Sequence, residues 1–352
     1  MLKNLFSNIY LLKNYSIFPR VVKGFFRGIL LNKPTLKTVE IFPTMKCNSK
    51  CIMCSVSKYR IENKNELTID DCKNISRQAE KLGAIAFSIL GGEPTLRPDL
   101  EEIIKALNPK KFFIVMVTNS ILLTKEKLVN LKKAGLYSIC LSLDNLDKEK
   151  NDDSRGFKGH FDKVMQTIGW AKEIGLIISI SPVAFHNKLD DFERILKFAK
   201  KNGFVVGAGG VGYVGKAEEE ILLSKDECNQ LREFLKKYSF LRFDWSLSYK
   251  LKYCCPAGKE KICITSTGDV VGCSMNPISF GNIREEELKT IWKRMNEFPQ
   301  FKKDFPGCLV AEDIEYINDY MKTIKDYKEN PVYFKDHPTA KTPITNNTNC
   351  PI

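Results

Sequence analysis

The most specific chemical signal in this chain of 352 residues is a cysteine trio, Cys47, Cys51 and Cys54, spaced C-x3-C-x2-C. Three thiolates can hold three irons of a [4Fe–4S] cluster and leave the fourth iron without a protein ligand. Such an iron binds a substrate or cofactor directly. The competing use is structural zinc, which calls for paired cysteine spacings and a second pair nearby; the residues that follow the trio hold no such pair. Further along, Gly91-Gly92-Glu93-Pro94 reads as a turn. Its glycines let the backbone approach a ligand, Glu93 or nearby carbonyls accept from an ammonium, and Pro94 fixes the exit.

These residues need a scaffold. Val39, Ile41 and Phe42 read as a short strand running straight into the cysteine loop. Helical patterns follow at Thr68–Leu82, Leu100–Leu107, Lys125–Ala134, Phe161–Glu173 and Phe192–Lys201, and between them fall apolar strands at Ile85–Leu90, Phe112–Val117, Ser138–Leu143, Leu176–Ser181 and Phe204–Val206. Short buried strands alternating with helices signify βα units and a parallel sheet. Six units from Val39 to about Ser239 make an α/β main domain, with its chemistry at the C-terminal ends of the strands.

The triplet on the loop after the first strand, followed by Gly-Gly-Glu-Pro at the end of the second, resembles the radical S-adenosylmethionine (radical SAM) superfamily. Met53 stands where many members carry an aromatic residue, and it remains apolar. Thr118-Asn119 resembles the family's Thr-Asn-Gly with Ser120 in place of the glycine, Ser142-Leu143-Asp144 its Ser-Leu-Asp, and Arg155-Gly156 its Arg-Gly. The resemblance implies a partial (β/α)6 TIM-like barrel whose first cluster is held by Cys47, Cys51 and Cys54. It implies that Gly91, Gly92, Glu93 and Pro94 receive the cofactor's amino group, that Asn119 contacts ribose, and that Ser142 and Arg155 face its carboxylate, Arg because its planar fork pairs with carboxylates. Asn119 also reads as a turn former and Arg155 as a surface ion-pair partner. The implied reaction is reductive cleavage of S-adenosylmethionine to a 5′-deoxyadenosyl radical that abstracts hydrogen from a substrate. Gly207, Gly209 and Gly212 satisfy G-x-G-x-x-G, but without the helix start and strand-end acid of a dinucleotide loop they read as glycines that bring the barrel rim close to substrate.

Composition shifts near Tyr249, and five cysteines follow: Cys254, Cys255, Cys263, Cys273 and Cys308. Cys255 and Cys273 bracket Gly268 as C-x12-G-x4-C, and Phe280-Gly281-Asn282-Ile283 and Ile291-Trp292 come after. This resembles the opening of SPASM or twitch extensions, which implies one auxiliary [4Fe–4S] cluster on Cys255, Cys273 and Cys308. Its fourth ligand is Cys254, Cys263, Cys350 or none. Cys263, between Ile262 and Ile264, reads as a buried hydrophobe, as do Cys72, Cys140 and Cys228. The expected organisation is a basic amphipathic arm over 1–36, a radical SAM barrel over 37–248, a SPASM/twitch-like iron–sulfur lobe over 249–310, and a C-terminal helix (Ile314–Tyr327) and tail over 311–352.

Charged residues at 28% and apolar residues at 43% match ordinary globular usage. The chain has no apolar run long enough to span a bilayer and no secretory signal pattern. Twelve cysteines in a chain of this size therefore point to metal use in the cytoplasm rather than to disulfides. Three scattered histidines exclude paired-histidine zinc hydrolase chemistry. The net charge is +13, and Met1–Val39 holds seven Lys or Arg and no acid. Val22, Phe25, Phe26, Ile29 and Leu30 form an amphipathic helix there, which packs on the main domain or meets anionic lipid. The expected substrate is a sugar, another small molecule or a lipid-linked saccharide. The alternatives are a ribosomally made peptide and a non-catalytic iron–sulfur or zinc module. A reducing protein such as flavodoxin or ferredoxin is the expected partner, and no nucleic acid.

Overall fold

The computed structural model describes residues 16–59, 66–327 and 330–341. Cys350, the end of the tail and the first fifteen residues of the basic arm lie outside them.

Strands β1 (Thr38–Ile41), β2 (Ala86–Ile89), β3 (Phe113–Thr118), β4 (Ser138–Ser142) and β5 (Ile177–Ser181) run parallel and side by side. After the short β6 (Val183–Ala184), β7 (Val205–Gly207) joins β5 in parallel as the sixth barrel strand; β8 (Gly209–Gly210) pairs with β6, and β9 (Leu241–Arg242) with β7. This is the partial (β/α)6 TIM-like barrel. Period-two alternation sorts its faces. Phe87, Ile89, Ile114, Met116, Ile178 and Ile180 are buried in the main core, while Ser88, Val115, Val117, Ser179 and Ser181 are only half-buried on the opposite face.

The helices begin and end where local chemistry directs. In α2 (Ile69–Leu82), following α1 (Phe18–Ile29), the Thr68 hydroxyl accepts from the Asp71 N–H at 3.1 Å and the Asp71 carboxylate accepts from the Thr68 N–H at 3.0 Å, a capping box. Helices α3 (Leu100–Ala106), α4 (Lys125–Ala134), α6 (His160–Glu173) and α7 (Leu189–Asn202) fall where the apolar spacing predicts them. Helix α5 (Lys148–Arg155) is not predicted, because its sequence KEKNDDSR has no apolar stripe. It buries Asn151, Asp152 and Arg155 instead, a polar face that periodicity cannot reveal. Helix α8 (Lys225–Lys237) follows the sixth barrel strand.

The C-terminal lobe is not detached from the barrel. Its strands β10 (Lys261–Ile264), β11 (Asp269–Val271), β12 (Ile278–Asn282) and β13 (Val332–Tyr333) continue the sheet outward from β1, giving the order β13-β12-β11-β10-β1-β2-β3-β4-β5-β7-β9. Strand β10 runs parallel to β1, with Cys263 opposite Glu40. Helix α9 (Leu288–Glu297) covers this extension. The predicted C-terminal helix changes pitch, from α over Ile314–Tyr316 to a π turn over Ile317–Met321 and 3-10 over Lys322–Ile324.

Helix α1 lies across the N-terminal ends of the strands, where Ile17, Val21 and Phe25 pack on Ile85, Ala86 and Phe113. Gly24 and Gly28 bring its backbone onto Tyr249, and the Arg20 guanidinium donates to the carbonyls of Ala84 and Lys111. Among the described residues no helix is long and apolar enough to cross a membrane.

Candidate functional site

Strand β1 delivers the chain into the cysteine loop at the opposite end of the barrel. There the Gly92 N–H donates to Thr44 O at 3.0 Å and the Glu93 N–H to Lys46 O at 2.8 Å, locking the turn after β2 onto the loop. A Cβ at Gly92 would lie 2.1 Å from Lys46 O, so only glycine permits that contact. Gly156 does the same from the far side: its φ is +59° and a Cβ would meet Lys50 O at 2.4 Å. These glycines bring backbone to backbone around the cysteines. The Ile52 N–H donates to Ser154 O at 3.1 Å and the Lys216 N–H to Cys54 O at 3.1 Å. The Ser49 hydroxyl is 3.4 Å from Cys51 Sγ.

Cys47 is exposed and Cys51 and Cys54 partly so. Although the Cys47 residue is exposed, desolvation by the surrounding loop pushes its thiol up to about 11, with the Glu93 charge adding to the effect, and desolvation raises Cys54 as well. Metal ions reverse this preference, because they bind the thiolate.

Glu93 is buried and held by four hydrogen bonds, three of them to Oε1 and one to Oε2. Its carboxylate accepts from the Thr95 N–H (3.2 Å), the Thr95 and Thr118 hydroxyls (both 2.7 Å) and the Asn119 N–H (2.8 Å). Burial raises its pKa, and those four bonds work against the rise. Its side chain therefore braces the ends of β2 and β3. Asn119 donates from Nδ2 to Asn48 Oδ1 at 2.8 Å, inside the cysteine loop. Ser120 has φ +68°, which accounts for a glycine in the family pattern.

Arg155, at the end of α5, is buried against Asp144, with Nη2 2.6 Å from Oδ1. Burial opposes its charge, but Asp144 and the Cys51 sulfur outweigh that and hold the guanidinium above its usual value. Asp144 also accepts from the Val183 N–H at 3.0 Å. Ser142 ends β4 opposite Ser181. Two buried donors here have no partner, Arg155 Nε and Asn48 Nδ2. Orphaned donors around three cysteines suit a pocket that receives an anionic group beside a cluster. Asn48 is absent from the sequence reading, although its place inside the C-x3-C spacing was a signal. Met53 fills an apolar pocket with Phe185, Val211 and Ala217.

The second cysteine set gathers from three segments. Cys255 precedes β10, Cys273 follows β11, and Cys308 opens the short helix Leu309–Glu312. Burial is the main reason that Cys273 and Cys308 resist ionisation; Cys255 adds to it at both, and Cys273 also at Cys308. The Cys255 N–H donates to Phe305 O at 2.8 Å, which ties the first of these segments to the one that carries Cys308. Cys254 faces away, its Sγ 3.3 Å from both Lys259 Nζ and Asp304 Oδ1. Cys263 is fully buried among Phe42, Met45, Tyr59 and Val271. Among the described residues no three His, Cys, Asp or Glu side chains are close enough to hold a single metal ion. A four-iron cluster makes no such demand, since each thiolate takes its own iron, and the all-sulfur donor sets fit it. Within the glycine-rich segment Gly212 packs on this lobe, where a Cβ would strike Met275 and Val310, while Gly207 and Gly209 have open space where a Cβ would stand.

A parallel barrel with a cysteine loop at its C-terminal mouth and a second cysteine set on a sheet extension defines a class of two-centre iron–sulfur enzyme. Residues 41–199 match the Radical SAM superfamily and 254–311 match SPASM, an iron–sulfur cluster-binding domain. The chain belongs to the radical SAM superfamily and carries a SPASM domain; its cofactors are [4Fe–4S] clusters and S-adenosylmethionine. It is 27% identical over 299 residues to the PqqA peptide cyclase of Rhizobium meliloti, covering 75% of this chain and 80% of that protein. It is 25% identical over 302 residues to the AdoMet-dependent heme synthase of Methanosarcina barkeri, covering 78% and 86%. Streptococcus suis SuiB bound to its precursor peptide SuiA shares the fold with a TM-score of 0.64 at 22% identity, over 87% of this chain and 76% of that one.

Proposed function

We propose that this radical SAM enzyme modifies a peptide. The observation that carries the reading is the likeness to a peptide cyclase, which spans most of both proteins. The fold shared with SuiB and the half-open inner barrel face, lined by the small residues Ser88, Ser179 and Ser181, support it. The basic arm lends no weight to a lipid-linked substrate, because α1 packs at the barrel end opposite the cysteine loop.

In this proposal Cys47, Cys51 and Cys54 hold the cluster that receives S-adenosylmethionine, and Cys255, Cys273 and Cys308 hold the auxiliary one. Once held there, the cluster and S-adenosylmethionine would supply reductive cleavage chemistry that leads to hydrogen-atom abstraction from the substrate. The carbonyls of Gly91 and Gly92, with Glu93 Oε2, which has one partner where Oε1 has three, accept the cofactor's ammonium, and Pro94 fixes the turn. Asn119 orients Asn48, and the free edges of Arg155 and Asn48 bind the carboxylate, with Ser142 beside them. A small cytoplasmic reducing protein delivers the electron. The test offers anaerobically reconstituted enzyme, with dithionite and S-adenosylmethionine, the peptide, small-molecule and lipid fractions of deuterated cells. Deuterium enters 5′-deoxyadenosine from the peptide fraction; label arriving only from another fraction sinks the reading.

We also propose that α1 rests on an anionic membrane surface. Its small residues face Tyr249, and Phe18, Val22, Phe26, Ile29 and Leu30 form an outward stripe, with Phe26 53% and Leu30 68% exposed. Lys23 and Lys33 are exposed beside it in a segment without acids. An apolar stripe with flanking cations suits an interfacial helix. Full-length protein sediments with phosphatidylglycerol vesicles and not with phosphatidylcholine vesicles, and Val22→Glu with Phe26→Glu abolishes binding. Indifference to both vesicles removes the membrane, and a dimer broken by that double variant assigns the stripe to a second copy.

A further inference from the structure

The lone acid on β1, Glu40, is buried at the seam between barrel and lobe. Its Oε1 is 2.9 Å from Lys261 Nζ on β10, and its Oε2 accepts from the Ser274 N–H at 2.7 Å. Lys261 also binds Asp244, whose side chain is largely solvated. A buried ion pair is weak grounds for stability, because desolvation consumes most of its attraction. This one ends on the backbone of the residue after Cys273. It also sits on the strand that launches the loop of the first cysteine set.

The second anion here is Asp244, which shares Lys261 with Glu40 but stands largely in solvent. Cys263 lies opposite Glu40 in the β-ladder, and the buried Tyr59 phenol has no hydrogen-bond partner. Lys261 is the cation that faces Glu40; burial opposes its charge, and Asp244 and Glu40 outweigh that and keep it charged. The N–H that Glu40 Oε2 holds at 2.7 Å belongs to Ser274, the residue bonded to Cys273, so the carboxylate lies one residue from that sulfur's backbone. A fixed negative charge next to a cluster ligand disfavours the added electron of the reduced state, and net charge and hydrogen bonding around the sulfurs are the levers that set cluster potentials.

We propose that Glu40 is a charged strut: it positions Cys273 through Ser274 and lowers the reduction potential of the auxiliary cluster. Glu40 is a positioning residue, acting through Cys273, and the inference rests on Cys273 being a cluster ligand. That assignment is tested first. Cys273→Ala must lower the iron content of full-length reconstituted protein, and unchanged iron would remove the ligand rather than the strut.

The strut is tested by potentiometric titration of the one-electron couples, followed by electron paramagnetic resonance, in the loaded full-length enzyme with dithionite as reductant. The first cluster is identified by its response to S-adenosylmethionine. Glu40→Gln keeps an acceptor for the Ser274 N–H and loses the charge, so the auxiliary potential rises while iron content holds. Glu40→Ala loses both, so the potential rises and auxiliary iron falls. Asp244→Asn, on the same lysine but in solvent, shifts the potential less. Glu40→Asp, which keeps the charge, stays nearer the native potential than either neutral variant and covers the case in which those fail to fold. An unmoved auxiliary potential in Glu40→Gln, equal shifts at both clusters, or an Asp variant displaced as far as the neutral ones overturns the inference.

Discussion

The two cysteine sets of this protein are built in opposite ways. Cys47, Cys51 and Cys54 lie on one loop, partly exposed, and are shaped by glycine-dependent contacts from the turn after β2 and the end of α5. Cys255, Cys273 and Cys308 come from three segments of a sheet extension, Cys255 buried and the other two partly so. A loop carrying all its ligands takes its shape from what presses on it. A site assembled from distant segments exists only once those segments have folded, so its integrity reports on the lobe.

The sharpest way to break this contrast is to remove one cysteine from each. Cys51→Ala abolishes 5′-deoxyadenosine formation and leaves the lobe folded. Cys308→Ala loses auxiliary iron, lowers the thermal midpoint and leaves cofactor cleavage measurable. Iron analysis, calorimetry and a product assay read this out, and equal loss of cleavage in both would erase the difference.

Acid separates the two regions more gently. His160, behind Arg155, is fully buried, and its Nδ1 is 2.9 Å from Asn151 Nδ2, whose Oδ1 accepts from the Asp144 N–H. Burial, with the nearby Arg155 charge, lowers its pKa to about 4. The unfolded chain takes up a proton near its ordinary value of 6.5, and the folded chain does so only near about 4. Stability from this group is therefore full above about 6.5 and falls as pH drops toward about 4, by up to about 1.4 kcal/mol per unit. Unfolding midpoints over that window show the slope in the native chain and a smaller one in His160→Gln; equal slopes would clear His160.

The smallest expected effect concerns Ser120. Its φ of +68° suits glycine, and Ser120→Gly relieves left-handed strain while loosening the unfolded chain. A net gain of about 0.5 kcal/mol or less is expected from these opposing effects, read as a slight rise in the denaturation midpoint. A loss larger than that would mean that the buried Ser120 hydroxyl contributes more than its lack of a partner suggests.

Much of the first region was legible before any coordinates. The strand before Cys47, the helix start at Thr68 and the apolar runs of β2 to β5 are local patterns, and hydrophobic period and helix-start chemistry act over a few residues. Helix α5 was not legible, because its buried face is polar and its reason for burial is Asp144 and Gly159, outside its own sequence. Asn48 was half legible: its place between Cys47 and Cys51 put it in the loop, but its orphaned donor is visible only once its surroundings are complete.

The amino-acid order by itself determined the cysteine spacings, the βα alternation and hence the superfamily, because each depends on contacts or periodicities within a few residues. Only the tertiary structure decided that the lobe extends the barrel sheet through β1 and β10, that α1 sits at the end away from the cysteine loop, and that Glu40 reaches the segment after Cys273. Those pairings join residues up to 234 positions apart. Nothing in local sequence encodes such a distance; it is set by the burial and hydrogen-bond satisfaction of the whole sheet.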